Sequence, residues 1–435
     1  MTTTATRPGI LRDGRLGGAD PEALAMRFGT PYYAYDLDVV TAQVESLRAT
    51  LPASFDLAFA VKANPLLALL RHLAGLGLGA DVASGGELRH VLRAGFDGGR
   101  VVFTGPGKRD EELAAAVEAG VRVVTVESRG ELGRLAAIAA RRGRRQPVLL
   151  RLSMSDARRE ERVRIIGDDG AGKFGMDLDD LRAAAADAVA SPHLEPLGIH
   201  AFWASNVLDA EALAAHVETA VATAAVVASE AGFQLRLVDA GGGLGIPYGD
   251  GEAGLDLGTL GERLAAIAGR MAADPATAGA RVVIEPGRFL VGASGAYVAR
   301  VVERKTVDGN EVAVLDGGIH HVLRPTLVGQ AHRVVALTGA ATGPAPADAR
   351  PVTVAGPLCT GLDIVARAAP LGGLARGDLV AVLDVGAYGA TESMPLFLSH
   401  AMPAEVVLRG GVPRLARPRI EPETWLNWQL DEAEA

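Results

Sequence analysis

The sequence predicts an α/β fold, a (β/α)8 barrel followed by a mostly antiparallel β domain. Three observations predict it. From about residue 37, short apolar runs alternate with Ala/Leu-rich stretches of helical period. Eight such runs precede residue 290. After that, strand-like runs follow one another with turns between them, and helical period is scarce.

Taken in order, the first 30 residues are polar and Gly-rich, and TPYYAYD (30–36) reads as a strand from its aromatic content. This early strand is expected to join the sheet of the C-terminal domain. The eight runs are LAFAV (57–61), GADVA (79–83), VVFTG (101–105), VVTVE (123–127), VLLRL (148–152), PLGIHAF (196–202), LRLVDA (235–240) and VVIEP (282–286). Clear helices lie between them, such as DEELAAAVEAG (110–120) and RGELGRLAAIAARRG (129–143). Beyond 290 come AYVARVVERKTV, EVAVLDGG, PVTVAGPLC, DLVAVLDVG and AEVVLRGGVPRL. The expected boundaries are an N-terminal segment 1–36, a barrel 37–290 and a β domain 291–435. TGAATGPAPADARP (338–351) reads as a surface loop.

Composition narrows the function. The chain has 435 residues and a net charge of −9, with no long basic run, so nucleic acid is not expected as a partner. A single cysteine, Cys359, excludes an intrachain disulfide and fits a reducing compartment. The N-terminus lacks the apolar core of a signal peptide, and no apolar run reaches membrane-spanning length. A cytoplasmic protein is expected.

Active sites of such barrels lie at the carboxyl ends of the strands. There the sequence places Lys62 in FAVKANP, Asp81 with Ser84 to Glu87 behind it, Arg151, His200 with Phe202, Asp239 before Gly241–Gly242–Gly243, and Glu285–Pro286–Gly287–Arg288. Each alone is ordinary: a solvated lysine, a turn of glycines, a core histidine, a loop ion pair. Gathered at one rim, they suit one chemistry. A lysine forms a Schiff base with an aldehyde, a carboxylate keeps a pyridine nitrogen protonated, and a glycine loop with an arginine holds a phosphate. That is the chemistry of pyridoxal 5′-phosphate (PLP). No metal is required.

In these motifs the chain resembles the fold-type III PLP-dependent decarboxylases, the group of diaminopimelate, ornithine and arginine decarboxylases with an alanine-racemase-like barrel. The resemblance covers roughly residues 30–420. It is carried by FAVKANP, DVASGGEL (81–88), DAGGGLGIPY (239–248), EPGR (285–288), AGPLCTGLD (355–363) and GAYG (386–389). It implies that Lys62 carries PLP, with Asp81 and Glu87 close by and Glu285 on the pyridine nitrogen. It places Gly242, Gly243, Gly287, Arg288 and Tyr388 on the phosphate, and Arg151, His200, Phe202 and Ser205 around the cofactor. Cys359 becomes the acid that replaces the lost carboxyl group with a proton. The cysteine and tyrosine segments come from the neighbouring subunit, so a homodimer with shared sites is implied. Lys173 is expected to pair across that interface with Asp363.

The departures bear on substrate. Where diaminopimelate decarboxylases carry a second histidine, this chain has Phe202. Where they carry Glu after the cysteine, and ornithine enzymes Asp, it has Thr360, a poor partner for a distal ammonium. Arg324 in LRPTLVG matches an arginine that contacts a substrate carboxylate, but the tyrosine of that segment is replaced by Val328. GGIHH (317–321) is closer to relatives in natural-product and siderophore pathways. The expectation is decarboxylation of an amino acid or conjugate with a neutral or acidic distal group, free or presented by a carrier protein. The alternative is diaminopimelate decarboxylation in lysine biosynthesis. A racemase lacks support from the cysteine motif, and a non-catalytic regulator has no use for the complete lysine, glutamate, arginine and cysteine set. The segment 154–175 reads either as a solvated loop or as a lid.

Overall fold

The structure, a computed structural model, describes residues 9–153, 172–249, 251–339 and 350–429. It divides into two compact units, one of residues 44–247 and 253–289, the other of residues 1–43, 248–252 and 290–435. The segment 154–175 lies mostly outside the described residues, as does most of the 338–351 loop.

The first unit is a closed parallel barrel. With β1 reserved for Tyr32–Asp36, its strands are β2 (Phe55–Ala60), β3 (Gly79–Val82), β4 (Val101–Phe103), β5 (Val123–Val126), β6 (Gln146–Leu152), β7 (Leu194–Ala201), β8 (Leu237–Asp239) and β9 (Arg281–Ile284). Each pairs with the next, and β9 closes onto β2. Every predicted run holds a strand. The interior is filled by Ala58, Val102, Val123, Leu149, Leu237 and Val283, all buried. Strands covered on both faces read as continuous apolar runs, which is why these runs do not alternate.

The helices begin where the sequence writes caps. Ser84 Oγ accepts the Glu87 N–H at 3.1 Å while Glu87 Oε2 accepts the Ala83 N–H at 2.7 Å. The same device recurs with Ser128 and Glu131, whose Oε2 accepts the Glu127 N–H at 2.9 Å. One expectation needs correction. The helix Ala210–Ala231 has 22 residues and is apolar enough, by length and composition, to cross a membrane. Its Leu213, Val217, Ala220, Ala224 and Val227 are buried at helical spacing, so its apolar character belongs to the barrel wall.

The second unit is built on a nine-stranded sheet. Its strands are β1 and β10 (Gly295–Val307), β11 (Asn310–Leu315), β12 (Val334–Ala336), β13 (Val352–Ala355), β14 (Ile364–Ala369), β15 (Leu379–Leu383), β16 (Ala404–Arg409) and β17 (Val412–Arg417). The order along the main path is β14-β13-β11-β10-β1-β16-β17. Most pairs are antiparallel; β1–β16 and β11–β13 are parallel. The early strand thus sits between β10 and β16, with Tyr32, Tyr33 and Tyr35 buried.

Candidate active site

The barrel register lines up the rim residues before any side chain is considered. His200 on β7 is the register partner of both Arg151 on β6 and Asp239 on β8. Ala60 pairs with Asp81 across β2 and β3. Glu285 follows β9 directly, and Lys62 lies in the single helical turn Val61–Ala63 after β2. The turn lifts the lysine clear of the strand, so its side chain is 44 % exposed while Asp81 is 1 % exposed.

Lys62 Nζ meets Asp81 Oδ2 at 3.0 Å, and Asp81 Oδ1 accepts the Thr104 hydroxyl at 2.6 Å. Burial and the charge of Glu285 push the Asp81 carboxyl up, against the pull of Lys62 and Thr104. Glu87 is likewise raised, chiefly by burial. On the far side of the rim, His200 Nε2 lies 3.7 Å from Glu285 Oε2. Burial alone would raise Glu285, but His200, Lys62 and Asp239 together hold it down to about 2.

The glycine run is packed too closely for any side chain. A Cβ on Gly242 would fall 2.3 Å from the Glu285 carbonyl oxygen, and one on Gly243, at φ +94°, 2.7 Å from that of Ala204. A Cβ on Gly287 would meet that of Ala63 at 2.9 Å, and one on Gly241 the Phe202 ring at 2.8 Å. The loop is tied down by the Val207 N–H donating to Gly243 O and the Ile246 N–H to Asn206 Oδ1. Arg288 donates to Ser205 Oγ at 3.4 Å, which brings the guanidinium to this loop. Arg151 is bonded to Glu127 at 2.7 Å and lies over the Phe174 ring.

In the other unit, Arg324 is fully buried. It donates to Glu392 at 2.5 Å and to Gln330 at 3.3 Å, and its guanidinium lies over the Tyr388 ring. Cys359 is exposed on the turn between β13 and β14. Thr360 Oγ1 accepts the Leu362 N–H at 3.2 Å in the same turn. Asp363 is buried, its two oxygens accepting the N–H groups of Ile319 and Leu358 at 2.8 Å each. It thereby fastens the GGIHH and GPLC turns to one another. Lys173 is exposed, with its ammonium over Phe174.

Sequence reasoning missed Thr104, Glu127 and His216. The first two end their strands as Lys62 and Glu285 do, so the strand-end rule reaches them. His216 sits mid-helix, its Nε2 within 3.2 Å of the Ala201 and 2.9 Å of the Ala240 carbonyls. Nothing in the sequence distinguishes it from a surface histidine.

The rim fits PLP. Glu285 Oε1 and both ring nitrogens of His200 are buried without a hydrogen-bond partner among the described residues. An acceptor left so in a native site points to a bound donor, and a protonated pyridine nitrogen is one. A glycine loop beside an arginine is of the kind whose backbone N–H groups receive a phosphate.

Comparison with known proteins agrees. The pyridoxal-binding domain of pyridoxal-dependent decarboxylases matches residues 37–292. An L-glutamyl-[BtrI acyl-carrier protein] decarboxylase of Niallia circulans is 31% identical, over 92% of this chain and 94% of its own. A diaminopimelate decarboxylase of Pseudomonas aeruginosa is 35% identical, over 89% of each chain. The solved diaminopimelate decarboxylase of Helicobacter pylori, complexed with L-lysine, superposes with a TM-score of 0.84 at 28% identity, over 94% of this chain and 98% of that one. The chain belongs to the fold-type III pyridoxal-dependent decarboxylases and is a PLP-dependent amino-acid decarboxylase.

Proposed function

We propose that the substrate is an amino acid or amino-acid conjugate whose distal end is neutral or acidic, in a specialised biosynthetic pathway. The observation that carries this reading is Thr360. It stands where the diaminopimelate enzymes it resembles place a carboxylate, and its hydroxyl already accepts a backbone N–H. A neutral, engaged hydroxyl offers little to a distal ammonium. Similarity to a decarboxylase named for a glutamyl group on an acyl-carrier protein supports the same direction, and presentation by a carrier is part of the proposal.

We assign the residue roles as follows. Lys62 would hold the cofactor's aldehyde carbon, Glu285 its ring nitrogen, and Gly242, Gly243, Gly287, Arg288 and Tyr388 its phosphate. When bound, PLP supplies the electron sink that lets the carboxyl group depart. Asp81 keeps the Lys62 ammonium at the rim. His200 and Phe202 would flank the ring and exclude water. Cys359, contributed by the partner in a homodimer, delivers the proton that replaces carbon dioxide. Thr360 would border the substrate; Arg324 is fully buried against Glu392 and Tyr388, so the direct contact with a substrate carboxylate that the resemblance implied is not part of the proposal.

The test is carbon dioxide release, with PLP added, from meso-diaminopimelate, lysine, ornithine, arginine, glutamate and glutamate conjugates. Release from glutamate or its conjugates, with the diamino acids inert, is expected. Efficient release from meso-diaminopimelate would instead make this a lysine-biosynthesis enzyme and would overturn the reading of Thr360.

A further inference from the structure

Asp239 has no part in the roles above, yet it is wholly buried at the carboxyl end of β8. Its Oδ1 accepts the Gly241 N–H at 2.9 Å. Its Oδ2 has no hydrogen-bond partner among the described residues. Side-chain donor and acceptor atoms of Asp239, Glu285 and His200 lie within 4.8 Å of one another. Glu285 after β9 and Asp81 on β3 act on Asp239 by charge, and His200 on β7 lies beside it. Among the rim cations, Lys62 is bonded to Asp81, Arg151 to Glu127 and Arg288 to Ser205, and the charge of Lys62 also favours an ionised Glu285.

Two buried carboxylates within 4.8 Å of one another raise each other's affinity for a proton, and the one less well stabilised as an anion takes it. One of the pair holds a proton. His200 Nε2 is 3.7 Å from Glu285 and stabilises its charge. Asp239 has one backbone N–H, which a neutral acid's carbonyl oxygen accepts equally well. The proton therefore sits on Asp239.

We propose that Asp239 is a positioning residue: a neutral carboxylic acid that turns its O–H toward Glu285, fixing that carboxylate in its orientation and keeping it ionised for the ring nitrogen. Burial and the charge of Glu285 hold Asp239 well above the usual carboxylate range, against the pull of the Gly241 N–H, which agrees with this assignment. The inference takes the role of Glu285 from the reading above. The location of the proton is tested without cofactor, so the two can fail separately.

The experiment is infrared difference spectroscopy of PLP-free protein in heavy water at pH 7, wild type against Asp239→Asn. Loss of a protonated-acid carbonyl band is expected; loss of a carboxylate band overturns the proposal. Activity then separates positioning from filling of space. An asparagine amide donates as the acid does, so Asp239→Asn is expected to keep kcat within about threefold and the absorption spectrum of bound PLP unchanged. Asp239→Leu is expected to lose at least tenfold in kcat and to shift that spectrum. Equal behaviour of the two overturns the proposal. Should neither variant fold, wild type with carboxyl-labelled aspartate decides. An aspartate still protonated at pH 7, titrating at lower pH once Glu285→Gln removes the neighbouring charge, supports it. Full ionisation, or a titration indifferent to Glu285→Gln, overturns it.

Discussion

Glu285 keeps its charge in a place where burial alone would extinguish it, at 3 % exposed and with one oxygen lacking a hydrogen-bond partner among the described residues. A buried carboxylate held down to about 2 is the sign of neighbours arranged around the anion. Its folded value lies below the ordinary 4.5, so the stability it contributes is present above that pH and is lost as pH falls towards 2. Asp239 runs the other way. Raised in the folded state, it contributes most below its ordinary 3.8 and loses that contribution as pH climbs. Glu285→Gln keeps the shape and removes the charge. We expect decarboxylation to fall by about two to three orders of magnitude, with the acid limb of unfolding flattened between pH 4.5 and 2. Steady-state kinetics and thermal melts across pH check both. A variant of near wild-type rate would show that ring-nitrogen protonation does not depend on this group.

At the scale of elements, the strand-end loops carry the site, and this is the part the sequence reveals best. In a parallel barrel every strand runs to the same rim, so polar residues at the ends of apolar runs must meet. Lys62, Asp81, His200 and Glu285 were legible for that reason. The Asp239–Glu285 partnership was not, because it depends on how far each side chain leans into the rim. The sheet of the other unit was legible as strands but not as an order. Nothing local to TPYYAYD shows that it lies antiparallel to β10 and parallel to β16, a pairing set by residues far along the chain. The glycine loop offers the sharpest test at this scale. A methyl on Gly242 would collide with the Glu285 carbonyl, whereas one on Gly254 would meet nothing within 4 Å. Gly242→Ala is expected to weaken PLP binding at least tenfold, as the loop shifts from the phosphate, and Gly254→Ala to leave it unchanged. Cofactor titration followed by absorbance separates the two. Equal affinities would place the phosphate elsewhere.

At the scale of the whole molecule, the proposed chemistry draws on both halves of the chain. Lys62, Glu285 and Arg288 lie in the barrel unit, and Cys359, Thr360 and Tyr388 in the sheet unit. Cys359 is exposed in the single chain. A proton donor open to solvent on every side loses selectivity, since any water can take its place. A partner subunit that covers the cysteine and brings it to the neighbouring lysine removes that difficulty and makes each site a joint product of two chains. Lys62→Ala and Cys359→Ala should each be inactive or nearly so. Mixed by co-expression, they should regain activity. Random pairing makes half of the dimers heterodimers, and each of these has one intact site of two, so about a quarter of wild-type activity is expected for a closed twofold dimer. Differently tagged subunits, purified through both tags, isolate the heterodimer, which should then reach about half. Recovery no greater than the sum of the parents, in a preparation shown to contain mixed dimers, would mean that Lys62 and Cys359 serve the same site from one chain.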